Sequence, residues 1–201
     1  TRAIVKPTSQ STARLIAKQD GILCGLPLIP ILLKRQTRTY KLVLKVKEGS
    51  KVKKGQVVAE ISSSSKVLLE VERVLLNYLQ HLSGIATQTA IYVEKVKPYP
   101  VRILDTRKTK PLLRLLEKYA VCIGGGVNHR YGLYDQVLIK DNHIEIAGGI
   151  ENAIKNVRRN YPGVPIEVET KTLDEVRRAM VFHPEIILLD NMKPTMLKQA
   201  V

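Results

Sequence analysis

The stretch PIEVETKTLDEVRRAM, residues 165–180, decides the fold. Its first part is an apolar-rich run with β-branched Ile166 and Val168, so 165–169 reads as a strand. Thr172 and Glu175 then stand three residues apart. That is a capping box, in which hydroxyl and carboxylate each take a backbone N–H that the first helical turn leaves unpaired, and it opens a helix to Met180. Strand, short turn and capped helix make one βα unit. Working outward, the unit recurs: strand 101–105 with helix 112–120 opened by Pro111 at the first helical position; strand 136–140 with helix 150–159 and the turn Tyr161-Pro162-Gly163; strand 185–190 with a helix opened by Pro194. Such alternation predicts an α/β fold with a parallel sheet or barrel.

The N-terminal part has a different grain. Up to about residue 65 it is irregular and β-rich: 40–46 alternates apolar residues with Lys, Glu48-Gly49-Ser50 turns, and 51–61 reads as turn plus strand, followed by a turn at 62–65. The EGSKVKKGQVVAEI pattern resembles the β-hammerhead of biotinyl and lipoyl carrier domains, a non-enzymatic alternative. Val71, Val74, Leu75, Tyr78, Leu79 and Leu82 then lie on one helical face. Ser83-Gly84 is expected to interrupt this helix before a second run, 85–97. The domains are placed at 1–74, an α/β sandwich, and 75–201, the β/α part.

The 201 residues hold 33 Lys and Arg against 18 Asp and Glu, a formal net charge of +15. An apolar fraction of 44% with no low-complexity tract excludes disordered, collagen-like and fibrous classes. The charge calls for polyanions: nucleic acid, an anionic membrane surface, or small substrates rich in phosphate and carboxylate. Aromatic residues at 4%, with no Trp, poorly supply the stacking platforms of a single-strand binder. The longest apolar stretch, 21–33, contains Pro27 and Pro30 and falls short of the roughly 20 residues that span a bilayer. Two distant cysteines, Cys24 and Cys122, suit a reducing, cytoplasmic compartment without a disulfide framework.

Ligands of parallel α/β folds bind at the carboxyl ends of the strands. Here those ends read Asp105-Thr106-Arg107-Lys108, Lys140-Asp141-Asn142-His143, Glu169, and Asp190-Asn191. A charge after one strand is ordinary solvation, but four ionic ends in succession outline a pocket with cations on one side and carboxylates on the other. Such a pocket suits a phosphorylated sugar and an acidic co-substrate. Gly124-Gly125-Gly126 precedes His129-Arg130, two further anion donors; the glycines alone are more often a packing device than a phosphate cradle. No Ser/His/Asp or Cys/His nucleophile arrangement stands out. Asp105 and Asp141 are expected to cap or orient loops, His143 to support its neighbours, and the basic runs Lys34-Arg35, Lys51-Val52-Lys53-Lys54 and Arg158-Arg159 to lie on solvated faces.

Several of these segments together resemble the quinolinate phosphoribosyltransferase (nicotinate-nucleotide pyrophosphorylase) family. They are Glu72-Arg73, Asn77-Tyr78-Leu79-Gln80, Ser83-Gly84-Ile85-Ala86-Thr87, LDTRKTKPLLRLLEKYAV (104–121), GGGVNHRYGLYDQVLIKDNH (124–143), IEVET (166–170) and LLDNM (188–192). The resemblance implies a type II phosphoribosyltransferase of NAD biosynthesis, using Mg²⁺, with an N-terminal α/β sandwich before a C-terminal α/β barrel. It implies a homodimer with shared sites, in which Arg73 reaches the partner's site. Thr106, Arg107, Lys108, His129, Arg130 and Lys140 would line the quinolinate and phosphate pocket. Glu169 and Asp190 would face the ribose and the metal, directly or through Mg²⁺-bound substrate, and Lys140, Glu169 and Asp190 would be catalytic. Neither nucleic acid nor membrane is an expected partner.

Four βα units do not close a barrel, and the family has an opening helix before Thr1 and further strands after LLDNM. The sequence is therefore expected to be part of a longer enzyme. Alternatives are a paralogue of the same fold associated with molybdenum transport and a basic nucleic-acid-binding protein.

Overall fold

In the computed structural model, which describes residues 8–201, the chain opens with strand β1 (Gln10–Ile16), short β2 (Gly21–Ile22) and helix α1 (Leu28–Gln36). Strands β3 (Lys41–Leu44), β4 (Lys51–Val52) and β5 (Val57–Ser64) follow, then helices α2 (Ser65–Val96) and α3 (Arg114–Ile123). These belong to a first unit, Thr1–His129; a second, Arg130–Val201, holds the rest.

In the first unit β5 is the central strand of an antiparallel sheet ordered β1-β5-β3, and β2 pairs with β4. Ala59, Ile61 and Ser63 of β5 alternate inward. Ala59 and Ile61 share a core with Val67, Val71, Leu75 and Leu79, successive turns of one α2 stripe, and with Leu26, Ile29 and Leu33 from α1 and its approach. Each such apolar side chain contributes about 1.5–3 kcal/mol on burial.

Helix α1 was not expected. The stretch up to about residue 65 reads as irregular and β-rich, yet 28–36 is helical: Pro27 is the N-cap and Pro30 falls in the first turn, where the missing N–H has no intrahelical partner to lose. The expected turn at 62–65 is also corrected: β5 runs to Ser64, whose side chain accepts the Val67 N–H, and α2 starts at the next residue. No hairpin tip follows the strand, so the carrier-domain alternative falls.

The expected break at Ser83-Gly84 is absent, because α2 is one helix of 32 residues. The Ser83 hydroxyl, which could compete for its own backbone, instead accepts the Cys24 N–H at 2.9 Å and donates to the Cys24 carbonyl at 3.2 Å. Helix α3 starts three residues after Pro111, which lies in the preceding turn with Leu112 at φ 64°. The expected strand 101–105 is reduced to one parallel bridge, Leu104 to Val127.

In the second unit, β6 (Val137–Ile139), α4 (Asp141–Ala147), α5 (Ile150–Asn160), β7 (Ile166–Thr170), α6 (Leu173–Val181), β8 (Ile186–Leu189) and α7 (Pro194–Ala200) form an α/β arrangement. The sheet is parallel and ordered β6-β7-β8. Central β7 is covered on both faces and sits in a core of Ile139, Ile150, Ile154, Ile166, Val168 and Ala179, the pattern of a strand flanked by crossover helices. The expected Thr172–Glu175 capping box opens α6, and Pro194 is the first residue of α7. Helix α4 was missed; it starts straight after Lys140 and ends on left-handed Gly148 at φ 75°.

Candidate active site

In the first unit the site residues surround the bridge between Leu104 and Val127. Val127 donates to the Ile103 carbonyl at 2.8 Å and Asp105 donates to the Val127 carbonyl at 3.2 Å, so the chain that leads into Thr106 is tied to the chain that leads into His129. The Thr106 hydroxyl then accepts the Lys108 N–H at 3.1 Å, folding Thr106-Arg107-Lys108 into a tight turn. Arg107 Nε is buried without a hydrogen-bond partner among the described residues. A buried donor left unpaired costs about 1–3 kcal/mol, which an incoming carboxylate or phosphate would remove.

Beneath the turn lies a residue that sequence reasoning missed. Lys118 of α3 is fully buried; its Nζ bonds the Asp105 carboxylate and donates to the His129 carbonyl at 2.8 Å. Asp105 also accepts the His129 N–H at 2.8 Å, which is the orienting role expected of it. No local signal marks Lys118, because lysine is ordinarily exposed and its counter-charge comes from outside its helix.

The glycine run explains this geometry without a ligand. A Cβ at Gly124 would strike the Ala86 carbonyl and stand 2.7 Å from Thr89 Cβ; one at Gly126 would lie 2.7 Å from Val121 Cγ1 and 2.9 Å from Thr89 Cγ2. The glycines let the end of α3 lie against α2, the packing role expected for them. Arg73 is exposed on α2.

In the second unit the parallel register gathers the other candidates. Ile139 pairs with Val168 and Thr170 with Leu189, so Lys140, Glu169 and Asp190 all fall at the carboxyl ends of neighbouring strands. Lys140 Nζ lies 3.9 Å from a Glu169 oxygen. The Asp190 N–H bonds the Thr170 carbonyl at 2.8 Å, and the Asn191 amide donates to the Asp190 carboxylate at 3.1 Å. His143 Nδ1 accepts the Lys140 N–H at 3.0 Å, the supporting role expected of it. Arg130 donates to the Gln136 carbonyl at 3.1 Å, and the Gln136 amide donates to buried Glu167 at 2.7 Å.

Lys171, also missed, completes this cluster. It lies 2.5 Å from Asp141 and its ammonium is held above its usual range, first by that hydrogen bond and also by the charges of Asp190 and Glu169. Asp141 is correspondingly held low, chiefly by the Lys171 bond. The carboxyl ends thus carry two cations interleaved with three carboxylates.

Among the described residues no three His, Cys, Asp or Glu side chains are grouped to hold a metal ion. Of the three carboxylates at the strand ends, Asp141 is bonded to Lys171; Glu169 and Asp190 are the other two oxygen donors. That set fits Mg²⁺, which keeps several waters and substrate phosphates and seldom takes a full protein cage. Neither cysteine is disulfide-bonded: Cys24 is buried and Cys122 exposed. Burial, reinforced by Glu48, pushes the Cys24 thiol far up, which removes it as a nucleophile. No helix of the described residues is long and apolar enough to cross a membrane. The basic runs predicted to be solvated are exposed apart from Val52.

The chain is similar to known proteins along its length. Residues 1–83 match the family described as quinolinate phosphoribosyl transferase, N-terminal domain, and residues 85–201 match the corresponding C-terminal domain. A probable nicotinate-nucleotide pyrophosphorylase [carboxylating] of Synechocystis sp. is 45% identical over 190 residues, covering 94% of this chain and 64% of that protein. The crystal structure of NadC from Streptococcus pyogenes has a TM-score of 0.94 at 41% identity, over 98% of this chain and 70% of that one. The nicotinate-nucleotide pyrophosphorylase structure from Francisella tularensis gives 0.92 at 36% identity, over 96% and 69%. This chain therefore spans just under two thirds of the length of the cyanobacterial relative.

Proposed function

This chain belongs to the quinolinate phosphoribosyl transferase family, and from that premise we propose that the protein is a pentosyltransferase, a nicotinate-nucleotide diphosphorylase of the carboxylating type. It converts quinolinate and phosphoribosyl pyrophosphate to nicotinate mononucleotide, carbon dioxide and pyrophosphate, in NAD biosynthesis. The observation that carries the reading is the alignment of Lys140, Glu169 and Asp190 at the carboxyl ends of β6, β7 and β8. The three strands form one arc of an α/β barrel. Their sequential parallel order with helical crossovers supports that reading.

Quinolinate presents two adjacent carboxylates. Guanidinium forks from Arg107, Arg130 and Arg73 bind them, with Lys108 and His129 adding donors and Thr106 holding the turn. The unpaired Arg107 Nε supports this assignment. As pyrophosphate departs, positive charge grows on C1 and the ring oxygen of the ribose. Glu169 and Asp190 stabilise that charge while Lys140 binds carboxylate or phosphate. The pyridine nitrogen bonds C1 as the C1–O bond to pyrophosphate breaks; the resulting pyridinium charge stabilises the carbanion left on C2 when the adjacent carboxylate leaves as carbon dioxide, and C2 then takes a proton from water. No protein nucleophile is needed.

Mg²⁺ is the proposed cofactor: Glu169 and Asp190 would hold it together with the substrate, and it would supply charge neutralisation for the departing pyrophosphate. The working form is a homodimer in a reducing cytoplasm, which two unbridged cysteines suit. Arg73 serves the partner's site. On α2 it stands roughly 24 Å along the axis from Thr89, where Gly126 packs, at 1.5 Å per residue, farther than its own side chain extends.

The test is to incubate the protein with quinolinate, phosphoribosyl pyrophosphate and Mg²⁺ and follow mononucleotide and carbon dioxide together. Stoichiometric release of both is expected. Absence of both, in protein that is folded, rejects the activity.

A further inference from the structure

We propose that Lys118 and Asp105 are positioning residues for this reaction, a buried ion pair that clasps the peptide of His129 and sets its distance from the Thr106-Arg107-Lys108 turn. The inference rests on the proposed activity and adds two residues that do not touch substrate.

The clasp is complete on both sides of His129. Its N–H goes to Asp105 Oδ1 at 2.8 Å, and its carbonyl takes the Lys118 ammonium at 2.8 Å. The two side chains close the circuit by bonding each other. Lys118 is 0% exposed and Asp105 6% at the side chain. Asp105 is followed at once by Thr106 and Arg107, while His129 is itself a proposed ligand. One buried pair therefore governs where two stretches of the pocket stand. Its position between Ile103-Asp105 and Val127-His129 continues the backbone lacing at Leu104 and Val127.

Stability alone is a poor reason for such a pair. Removing two charges from water costs as much as their attraction returns, and a well-packed apolar replacement is often neutral or better. What an apolar replacement does not supply is a directed hold on one peptide group.

The double variant Asp105→Asn/Lys118→Met removes both buried charges while leaving an oxygen to accept the His129 N–H. It is expected to fold, with an unchanged far-ultraviolet spectrum, and to raise KM for quinolinate at least tenfold. KM for phosphoribosyl pyrophosphate, assigned to Glu169 and Asp190 at the strand ends of the second unit, stays within twofold. A general loss of structure would move both constants. If the double variant does not fold, Asp105→Glu keeps the charge but shifts the carboxylate by one methylene, and the same selective rise in KM is expected. Unchanged quinolinate KM in a folded variant, or equal rises for both substrates, overturns the clasp while the activity stands. Wild-type protein that makes no mononucleotide overturns the activity itself and the clasp's role with it.

Discussion

Gly84→Ala is expected to stabilise the protein, although Ser-Gly in the middle of a helical pattern ordinarily reads as a break. Gly84 lies inside continuous α2, exposed, and an added Cβ would meet no atom within 4 Å. Alanine there gains what glycine loses in a helix interior, about 0.8–1 kcal/mol, with no strain to set against it. With a urea m-value of about 2 kcal/mol/M, the midpoint should rise by roughly 0.4–0.5 M with an unchanged slope. The adjacent Ser83→Ala should act in the opposite sense. It removes the hydroxyl that bonds both the N–H and the carbonyl of Cys24, leaving buried polar groups unmet at about 1–3 kcal/mol. Urea unfolding followed by circular dichroism reads both changes. A lowered midpoint for Gly84→Ala would show that the helix turns or breaks at this position, and would refute the single-helix reasoning.

Gly124→Ala should lower stability by about 1–3 kcal/mol in the same assay, as overpacking does, because its Cβ meets the Ala86 backbone and the Thr89 side chain; an unchanged midpoint would dismiss the seam between α2 and α3. Native protein at pH 8 should yield one rapidly titrating thiol with a chromogenic disulfide, exposed Cys122, and two in denaturant; prompt reaction of Cys24 would contradict its burial and raised pKa. The Asp141–Lys171 pair should show both pH limbs. Asp141 is held low, so its contribution is present above about 3.9 and is lost as pH falls through its folded value; Lys171 is held high, so its contribution is present below about 10.4 and is lost as pH rises through its folded value. The stability difference between wild type and Lys171→Met should therefore be flat through neutrality and shrink at both extremes, and a difference that grew toward acid would rule the pair out.

Where periodicity and capping chemistry were strong, the fold was legible. The stretch 165–180 shows a capping box, a strand and a helix start that all survive in β7 and α6. The misses have local causes. Helix α1 carries no capping side chain and no acidic residue in its first turn, so nothing local announces its start. Ser83 looked like a breaker because its partner, Cys24, lies far away in sequence. Strand 101–105 shrank to one bridge since a strand exists only as long as its neighbour does.

The candidate site divides along the same line. Arg107, Lys140, Glu169 and Asp190 could be picked out because charges at the ends of apolar strands stand out. Lys118 and Lys171 could not, because what makes each informative is a carboxylate from another segment, Asp105 in one case and Asp141 in the other. Long-range pairing of ordinary surface residue types leaves no trace in a single sequence.

The direct passage from β5 into α2 has a consequence for how the chain tolerates change. With Ser64 closing the strand and Ser65 opening the helix, no loop is present to absorb an insertion, so the pleat of the strand sets the angular phase of the helix. One extra residue there would swing every later α2 side chain by about 100° around the axis. Val71, Leu75 and Leu79 would leave the core together, and Arg73 would change its bearing with them. The direction in which Arg73 points is thus inherited from a strand it does not belong to, and the junction at Ser64-Ser65 is where length variation should be least tolerated.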